Sequence, residues 1–190
     1  MDNNNRQTDL ENAAEKKRYP VEGSNIYRIL NDEAFRREFH IKLKKSNPLI
    51  VVLYRIGLLP LFGASRSVML LTTRGRKSGK LRSTPIGYFR IGGVVHLFSA
   101  WGSSTAWYRN LEAHPDEVWI QIGLKKTRVR AQALTDPAEI QQTLEQFVRE
   151  SPAEAKYIFG WDPEQDSFER ADFSDVVQRV LILRLTEAAA

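Results

Sequence analysis

The stretch VMLLTTRGRKSGKLRSTPIGYFRI, residues 68–91, decides the fold and contains the candidate binding residues. Its first six residues are apolar or β-branched, so VMLLTTR, residues 68–74, predicts a strand, and RSTPIGYFRI, residues 82–91, predicts a second extended run. The glycines and serine of GRKSG between the two runs predict a tight turn. The stretch therefore predicts an antiparallel pair of strands joined by a strongly basic loop.

The chain that follows continues with sheet signals. Gly92-Gly93 predicts a two-residue hairpin into VVHLFS, so we expect three antiparallel strands in a row. AWYRNLEAH predicts a short helix ending at His114-Pro115, and Asp136-Pro137 predicts the start of a helix that ends near Glu150. The remaining strands are expected in VWIQIG, KKTRVRAQAL and VVQRVLILRL. This order predicts an α+β fold with a mostly antiparallel sheet or small barrel and flanking helices.

The amino-terminal third is less regular. We expect residues 1–24 to be a flexible tail and residues 25–190 to be one domain. Residues 32–45 predict an amphipathic helix with a basic exposed face. NPLIVVLYRIGLLPLFG, residues 47–63, is too short to span a membrane and predicts either a buried helix ending near Gly57 or a segment lying on a membrane surface.

Composition excludes several classes of protein. Apolar residues make up 42% of the 190 and charged residues 27%, values typical of a globular domain. The chain contains no cysteine, so it has no disulfide framework, thiolate nucleophile or zinc-thiolate site. The first twenty residues lack an apolar core, which predicts no secretory signal and suits a cytoplasmic protein.

The basic charge is concentrated in one block. Residues 39–111 contain twelve Lys and Arg and no Asp or Glu, and both flanks are net acidic. Such a block attracts an anion, which could be nucleic acid, a lipid headgroup, or a phosphorylated or carboxylated cofactor.

The turn at residues 74–82 holds the densest group of cations. Gly75 and Gly79 permit positive φ, so consecutive N–H groups could form an anion nest, and Arg76, Lys77 and Arg82 would supply charge. The alternative is a solvated hairpin tip without function. The spacing of a Walker loop is absent.

A second candidate site is SAWGSSTAWYRNL, residues 99–111, where aromatic faces adjoin hydroxyl groups and could hold a planar ligand. The alternative is a helix packed on the core through Trp107. The three histidines share no metal-ligand spacing, so we expect no metal site. No G-x-S-x-G elbow supports hydrolysis, and no RNA- or DNA-binding signature accompanies the basic block, so nucleic acid is not favoured.

These two segments resemble the deazaflavin-dependent (coenzyme F420-dependent) nitroreductase and quinone reductase family. LLTTRGRKSGKLRSTP is similar to its L-L-T-T-x-G-R-K-S-G-x-x-R-x-x-P segment, and AWYRNLEAHP to its W-Y-x-N-L-x-A-x-P segment. The resemblance covers residues 47–135 well and the last fifty residues loosely. It implies a split β-barrel of the flavin-nucleotide-binding kind.

The resemblance also implies a cofactor and its contacts. F420 has a flat ring, a phosphate and an acidic tail; FMN is the alternative cofactor. The phosphate and tail would lie at Arg76, Lys77, Ser78 and Arg82. The residues that would line the ribityl chain and the ring of the cofactor are Ser83, Thr84, Pro85, Ile86, Gly87, Ser99, Ala100, Ala106, Trp107, Tyr108, Arg109 and Asn110.

The expected reaction is hydride transfer from reduced F420 to a quinone- or nitro-type acceptor, with orientation and electrostatics supplied by the protein. Tyr157, Phe159 and Trp161 are the candidate substrate wall, with a role in the core as the alternative. A non-catalytic split-barrel protein that binds a deazaflavin, flavin or lipid is the second hypothesis. A peripheral membrane contact is expected from residues 47–63.

Overall fold

The computed structural model of the chain describes residues 16–61 and 67–188. The strands are β1 (Lys17–Arg18), β2 (Val68–Arg74), β3 (Leu81–Gly87), β4 (Phe89–Ile91), β5 (Val94–Ser99), β6 (Val118–Ile122), β7 (Lys125–Ala133), β8 (Ala171–Asp172) and β9 (Leu181–Glu187). The α-helices are α1 (Asn25–Asn31), α2 (Glu33–Arg55), α3 (Leu58–Leu61), α4 (Ala106–Ala113), α5 (Pro137–Glu150), α6 (Pro152–Phe159) and α7 (Ser174–Arg179).

Seven strands form one antiparallel sheet in the order β3-β2-β6-β7-β9-β5-β4. Strands β3 and β4 occupy opposite edges of this sheet, yet only Tyr88 separates them along the chain. Because one residue cannot span a flat seven-stranded sheet, the two edges must come together and the sheet must curl. The predicted α+β split barrel with flanking helices is confirmed.

One prediction about strand order is wrong because the sheet curls. Residues 82–91 were expected to form one strand within a row of three, but the run breaks at Tyr88 and its two halves pair with different partners, β2 and β5. The hairpin at Gly92-Gly93 is confirmed, and both glycines have positive φ, 57° and 78°. Tertiary closure of the barrel, which local patterns do not encode, decides the break.

Side chains alternate between the two faces of each strand, so the protein has two hydrophobic cores, one on each face of the sheet. The inward side chains of the barrel, such as Met69, Leu97 and Val118, pack together and against α4. The outer side chains of β5 and β9, such as Ile182, pack with Phe147 of α5 and other residues of the carboxyl-terminal helices. The predicted start of α5 is confirmed, because Asp136 Oδ1 accepts a hydrogen bond from the Ala138 amide at 3.1 Å.

The amino-terminal segment departs from the predicted tail. Residues 1–15 lie outside the described part, but residues 16–24 pack on the domain. Strand β1 pairs with β8, and the side chain of Tyr19 is only 1% exposed among Trp161 and Phe173. The prediction was wrong here because a two-residue strand and one aromatic anchor leave no periodic signal in the sequence.

Helix α2 is longer and more exposed than predicted. It begins where Asp32 Oδ1 accepts from the Phe35 amide at 2.8 Å, and it continues through Pro48 to Arg55. Tyr54 is its one buried residue; the Tyr54 hydroxyl donates to the Val68 carbonyl and accepts from the Gly123 amide, both at 3.0 Å. The interpretation of residues 47–57 as a buried helix is therefore wrong. Among the described residues, no helix has both the length and the apolar character required to cross a bilayer.

The last predicted strand is also corrected. VVQRVLILRL was expected to be extended throughout, but residues 174–179 form helix α7 and β9 begins at Leu181. The apolar residues Val176 and Val180 are four apart and both buried, a spacing that a helix and an apolar strand share.

Candidate functional site

The basic loop between β2 and β3, residues 75–80, is a compact turn held by its own backbone. The Gly79 amide donates to the Gly75 carbonyl at 2.8 Å, and the Gly75 amide donates to the Lys80 carbonyl at 2.9 Å. Gly79 has a φ of 64°, which favours glycine. A Cβ on Gly75 would lie 2.8 Å from Ser78 Oγ and 3.2 Å from the Lys80 carbonyl oxygen, so the turn leaves no room for a side chain there.

The predicted anion nest is not formed. Besides Gly75 and Gly79, the amide of Ser78 donates to the Gly75 carbonyl at 3.1 Å and the amide of Arg76 donates to Asn110 Oδ1 at 3.1 Å. These N–H groups are used within the protein and do not converge on an external point. An anion at this loop would therefore be bound by side chains.

The loop and the start of β3 present four exposed cations. In the described part of the chain, none of them has a carboxylate within 4.0 Å, in contrast to other basic residues of the protein. The four are Arg76, Lys77, Lys80 and Arg82. Neighbouring like charges repel each other, so an anion that enters this group lowers its electrostatic energy.

Arg74, at the end of β2, has a different role from these four cations. Arg74 Nε lies 2.7 Å and 2.6 Å from the two carboxylate oxygens of Glu117, and Arg74 Nη1 donates to the Gly79 carbonyl at 2.5 Å. The hydrogen bond from Arg74 holds the pKa of Glu117 below its usual value. The pair joins the loop to the segment before β6. Sequence reasoning missed Glu117, although it is one of the first acidic residues after the acid-free block.

Helix α4 holds the loop from the other side. Asn110 is 5% exposed, and its Oδ1 accepts from both the Arg76 amide and Arg76 Nη1, the latter at 3.2 Å. In the structure the amide oxygen of Asn110 bonds the loop, and the predicted contact of this residue with a cofactor stays a prediction.

The remaining predicted residues of α4 divide between two faces of the helix. Tyr108 is buried and Trp107 packs against the barrel core, whereas Ala106 and Arg109 are exposed. Burial raises the pKa of Tyr108. At the start of α4, Thr105 Oγ1 is buried without a hydrogen-bond partner. The start of the helix thus holds a buried hydroxyl group whose hydrogen bonding is not satisfied by the described residues.

The six predicted residues on β3, 82–87, do not share one face of the sheet. Residues 82, 84 and 86 pair across β2 with Thr73, Leu71 and Met69, whose side chains face the barrel and α4. Ser83, Pro85 and Gly87 alternate onto the opposite face. There Ser83 Oγ accepts from Arg55 of α2 at 2.8 Å and bonds Thr72 Oγ1 at 2.9 Å. The structure therefore brings Arg82, Thr84 and Ile86 together on the face toward α4 and places Ser83, Pro85 and Gly87 on the other face; their contact with a cofactor stays a prediction.

The loop after β5 is attached to helix α2. Ser99 is 4% exposed and its Oγ donates to the Gly102 carbonyl at 3.4 Å, while Ala100 packs on the outer core. Trp101 stacks on Phe39 with centroids 5.8 Å apart and planes 4° apart, and Phe39 stacks on Phe35 at 5.7 Å. The ring surface predicted for this loop is thus partly covered by α2.

The predicted substrate wall does not assemble. Phe159 is fully buried and Trp161 is 3% exposed within the outer core, whereas Tyr157 is 73% exposed on α6. The core role, which was the alternative, is the correct one for Phe159 and Trp161. Because the three side chains point to different environments, they cannot enclose one substrate.

The described residues contain no group of three or more His, Asp or Glu side chains arranged to bind a metal. His96 lies in the sheet with 3% exposure, and its Nδ1 is 3.1 Å from the Val94 carbonyl. Burial holds the pKa of His96 below its ordinary value, so its imidazole is neutral at pH 7.

The curled antiparallel sheet, the flanking helices and the cationic β2–β3 loop define a split-barrel protein. The family model for F420H(2)-dependent quinone reductase matches residues 60–163, more than half of the sequence, and the chain belongs to this family. It is therefore an oxidoreductase by family.

Solved structures with a similar fold include three proteins. An F420-H2 dependent reductase is 24% identical over 64% of this chain and 95% of its own, with a TM-score of 0.42. ChuZ from Campylobacter jejuni is 12% identical over 82% and 62%, with a TM-score of 0.45. A heme binding protein from Mycobacterium smegmatis is 20% identical over 67% and 49%, with a TM-score of 0.41.

Proposed function

We propose that this protein binds reduced coenzyme F420 and transfers a hydride from it to a quinone. A nitro compound is the alternative acceptor. The observation that supports this proposal most directly is the group of four unpaired cations on a loop fixed to α4. Family membership supports F420 as the cofactor, and the loop supplies the charge that its phosphate and acidic tail require.

Two features of the chain fit such a cofactor. Arg76, Lys77, Lys80 and Arg82 have no carboxylate partner in the described residues, so binding an anion would not have to break an existing ion pair. Thr105 Oγ1 at the start of α4 is buried without a hydrogen-bond partner among the described residues, and a cofactor group that reached it would satisfy this hydroxyl. Arg82, Thr84 and Ile86 would lie along one side and the exposed face of α4 along the other.

When bound, F420H2 supplies the hydride. The residues of this chain have the tasks of orientation and charge stabilisation. The cationic loop holds the anionic end of the cofactor, and Asn110 and the Arg74–Glu117 pair keep the loop in place before binding occurs. A fixed loop reduces the entropy lost on binding.

The test is to titrate the protein separately with reduced F420 and with FMN, and then to add menadione while following the deazaflavin absorbance. We expect saturable binding of reduced F420 and its oxidation when menadione is present. Tight binding with no oxidation by menadione or by a nitro compound would favour the non-catalytic carrier. Tight binding of FMN alone would contradict the choice of cofactor.

We also propose that the protein works in the cytoplasm at a membrane surface, which it contacts through α2 and the β6–β7 turn. Leu49, Val52 and Ile56 follow one another at helical spacing on α2 and are 62%, 55% and 68% exposed. Leu124 is 79% exposed, and its Cδ2 would lie 3.4 Å from a Cβ added to Gly57, so it extends the same apolar strip. Exposed apolar side chains within an acid-free basic segment are typical of interfacial helices.

The membrane contact is tested by sedimentation with phosphatidylglycerol and phosphatidylcholine vesicles. We expect the protein to pellet with the anionic vesicles, and Val52→Glu combined with Ile56→Glu to abolish the association. Tyr157→Glu introduces a charge at a similarly exposed position on α6 and should not change the association with the vesicles. Equal association of all the variants would exclude this surface.

A further inference from the structure

The half-barrel contains a cavity at the end opposite the cationic loop. Its volume is about 370 Å³, within the range of small-ligand sites. It is lined by Arg90, Gly93, Val94, Val95, Ile120, Ile122, Lys125, Thr127, Val129, Leu185, Thr186 and Glu187. None of these residues belongs to the site described above.

Strand register separates the two sites. Val118, at one end of β6, pairs with Thr73 next to the Arg74–Glu117 pair, whereas Ile122, at the other end, lines the cavity. Val118 and Ile122 are four residue steps apart along an extended strand, a distance of about 13 Å. A ligand in the cavity therefore approaches from the other mouth of the barrel and need not displace a cofactor at the loop.

The wall of the cavity is aliphatic. Val95, Ile120, Val129 and Leu185 form its floor and are each less than 10% exposed, and Val94 and Ile122 are half-buried above them. None of the described residues that line it is aromatic. Such a wall suits a flexible hydrocarbon chain, because the transfer of this chain out of water is favourable in free energy and requires no aromatic stacking partner.

The rim of the cavity carries an excess of positive charge. Lys125 and Arg90 are exposed there, and Glu187 carries the one carboxylate among the described lining residues. Lys125 Nζ lies 3.3 Å from Glu187 Oε1, and both side chains are more than 70% exposed, so the ion pair is weak and Lys125 can turn to another anion. Arg90 Nη1 donates to the Gly93 carbonyl at 3.3 Å and keeps other donors available. Thr127 and Thr186 add hydroxyl groups between the cations and the wall.

We propose that this cavity binds an aliphatic carboxylate, with the hydrocarbon chain on the floor of the barrel and the carboxylate between Arg90 and Lys125. The charge at the rim selects an anionic over a cationic amphipath, and the aliphatic wall selects a chain over a ring. This site is independent of the proposed cofactor site.

The test is isothermal titration of the full chain with sodium decanoate below its micellar concentration, together with methyl chemical shifts. We expect one site per chain and shifts confined to residues such as Ile120, Ile122 and Leu185. Each methylene removed from the ligand should weaken binding about fourfold. Decyltrimethylammonium, which has the same chain and the opposite charge, should bind at least about tenfold more weakly because it meets the cations of the rim.

Variants locate the site and separate it from the cofactor loop. Ile122→Trp, which fills the half-buried mouth, and Arg90→Gln combined with Lys125→Gln should each weaken decanoate binding, with folding checked by circular dichroism. Arg82→Ala should leave decanoate binding unchanged. The proposal would be overturned by a loss of decanoate affinity in Arg82→Ala or by equal affinity for the two amphipaths. It would also be overturned by the absence of saturable binding or by a dimer that shields Ile122. F420 binding is measured separately, so its failure would not affect this result.

Discussion

Individual residues of the basic segment differ in function although they look alike in the sequence. Arg74 forms an ion pair with Glu117 and bonds the loop backbone, while Arg82 on the neighbouring strand has no acidic partner among the described residues. An arginine that already bonds a carboxylate serves the structure, whereas an unpaired arginine is available to a ligand. The difference lies in which side chains the fold brings near.

Arg82→Ala should weaken the binding of reduced F420 at least about tenfold, because a charge-assisted hydrogen bond contributes about 1.5 kcal/mol or more. Fluorescence titration measures this change. Arg130→Ala removes the same charge from an exposed position on β7 and should leave the affinity unchanged. Equal affinities for the two variants would contradict the role of the loop.

Glu117→Gln should increase the mobility of residues 75–80 and weaken F420 binding by a smaller factor. The substitution keeps the shape of the side chain but removes the charge that holds Arg74, which in turn holds the Gly79 carbonyl. Amide hydrogen exchange of the loop in the free protein measures the first effect. Asp116→Asn removes the adjacent acidic charge and is the control; identical exchange in both variants would show that Glu117 does not position the loop.

At the scale of elements, short segments are held by single tight contacts. Helix α6 ends at Gly160, whose φ is 78°, and the Val21 amide donates to the Phe159 carbonyl at 2.8 Å. A Cβ on Gly160 would lie 2.8 Å from Val21 Cβ. The end of the helix thus also forms the docking surface for residues 16–24.

Gly160→Ala should lower the free energy of unfolding by about 2 kcal/mol or more, because positive φ and a steric clash with Val21 act together. Urea denaturation measures this loss in the free energy of unfolding. Gly23→Ala is the matched control: its φ is 84°, but an added Cβ meets nothing within 4 Å. It should therefore cost only the backbone strain, about 1 kcal/mol. If the two variants lost equal stability, the packing of Val21 on Gly160 would contribute nothing.

For the molecule as a whole, a buried neutral histidine links stability to pH. Burial holds the pKa of His96 below its ordinary value of 6.5. The unfolded chain therefore takes up a proton below about pH 6.5 while the folded protein does not, so the folded state loses stability as the pH falls.

Urea midpoints measured from pH 7.5 down to 5.5 should fall for the natural protein and fall less steeply for His96→Asn. His40→Asn, at an exposed position on α2, should keep the natural pH profile. A profile for His96→Asn that is parallel to that of the natural protein would show that another group controls the acid sensitivity.

The sequence by itself determined the class of fold and the position of the cationic loop. The apolar and β-branched run in residues 68–74, the Gly92-Gly93 turn and the Asp136-Pro137 helix start are local signals, and the structure contains each of them. The cationic loop follows from sequence too, because five basic residues within nine positions cannot be far apart in space.

The tertiary structure decided which side chains face each other. The break at Tyr88, the division of β3 between two faces and the pairing of Arg74 with Glu117 all depend on how the sheet curls and which strands become neighbours. Phe159 and Trp161 look like a ligand wall in the sequence and are core residues in the fold, because burial depends on contacts with distant elements. Local patterns report backbone preference, whereas contacts between residues far apart in the chain arise only when the whole core packs.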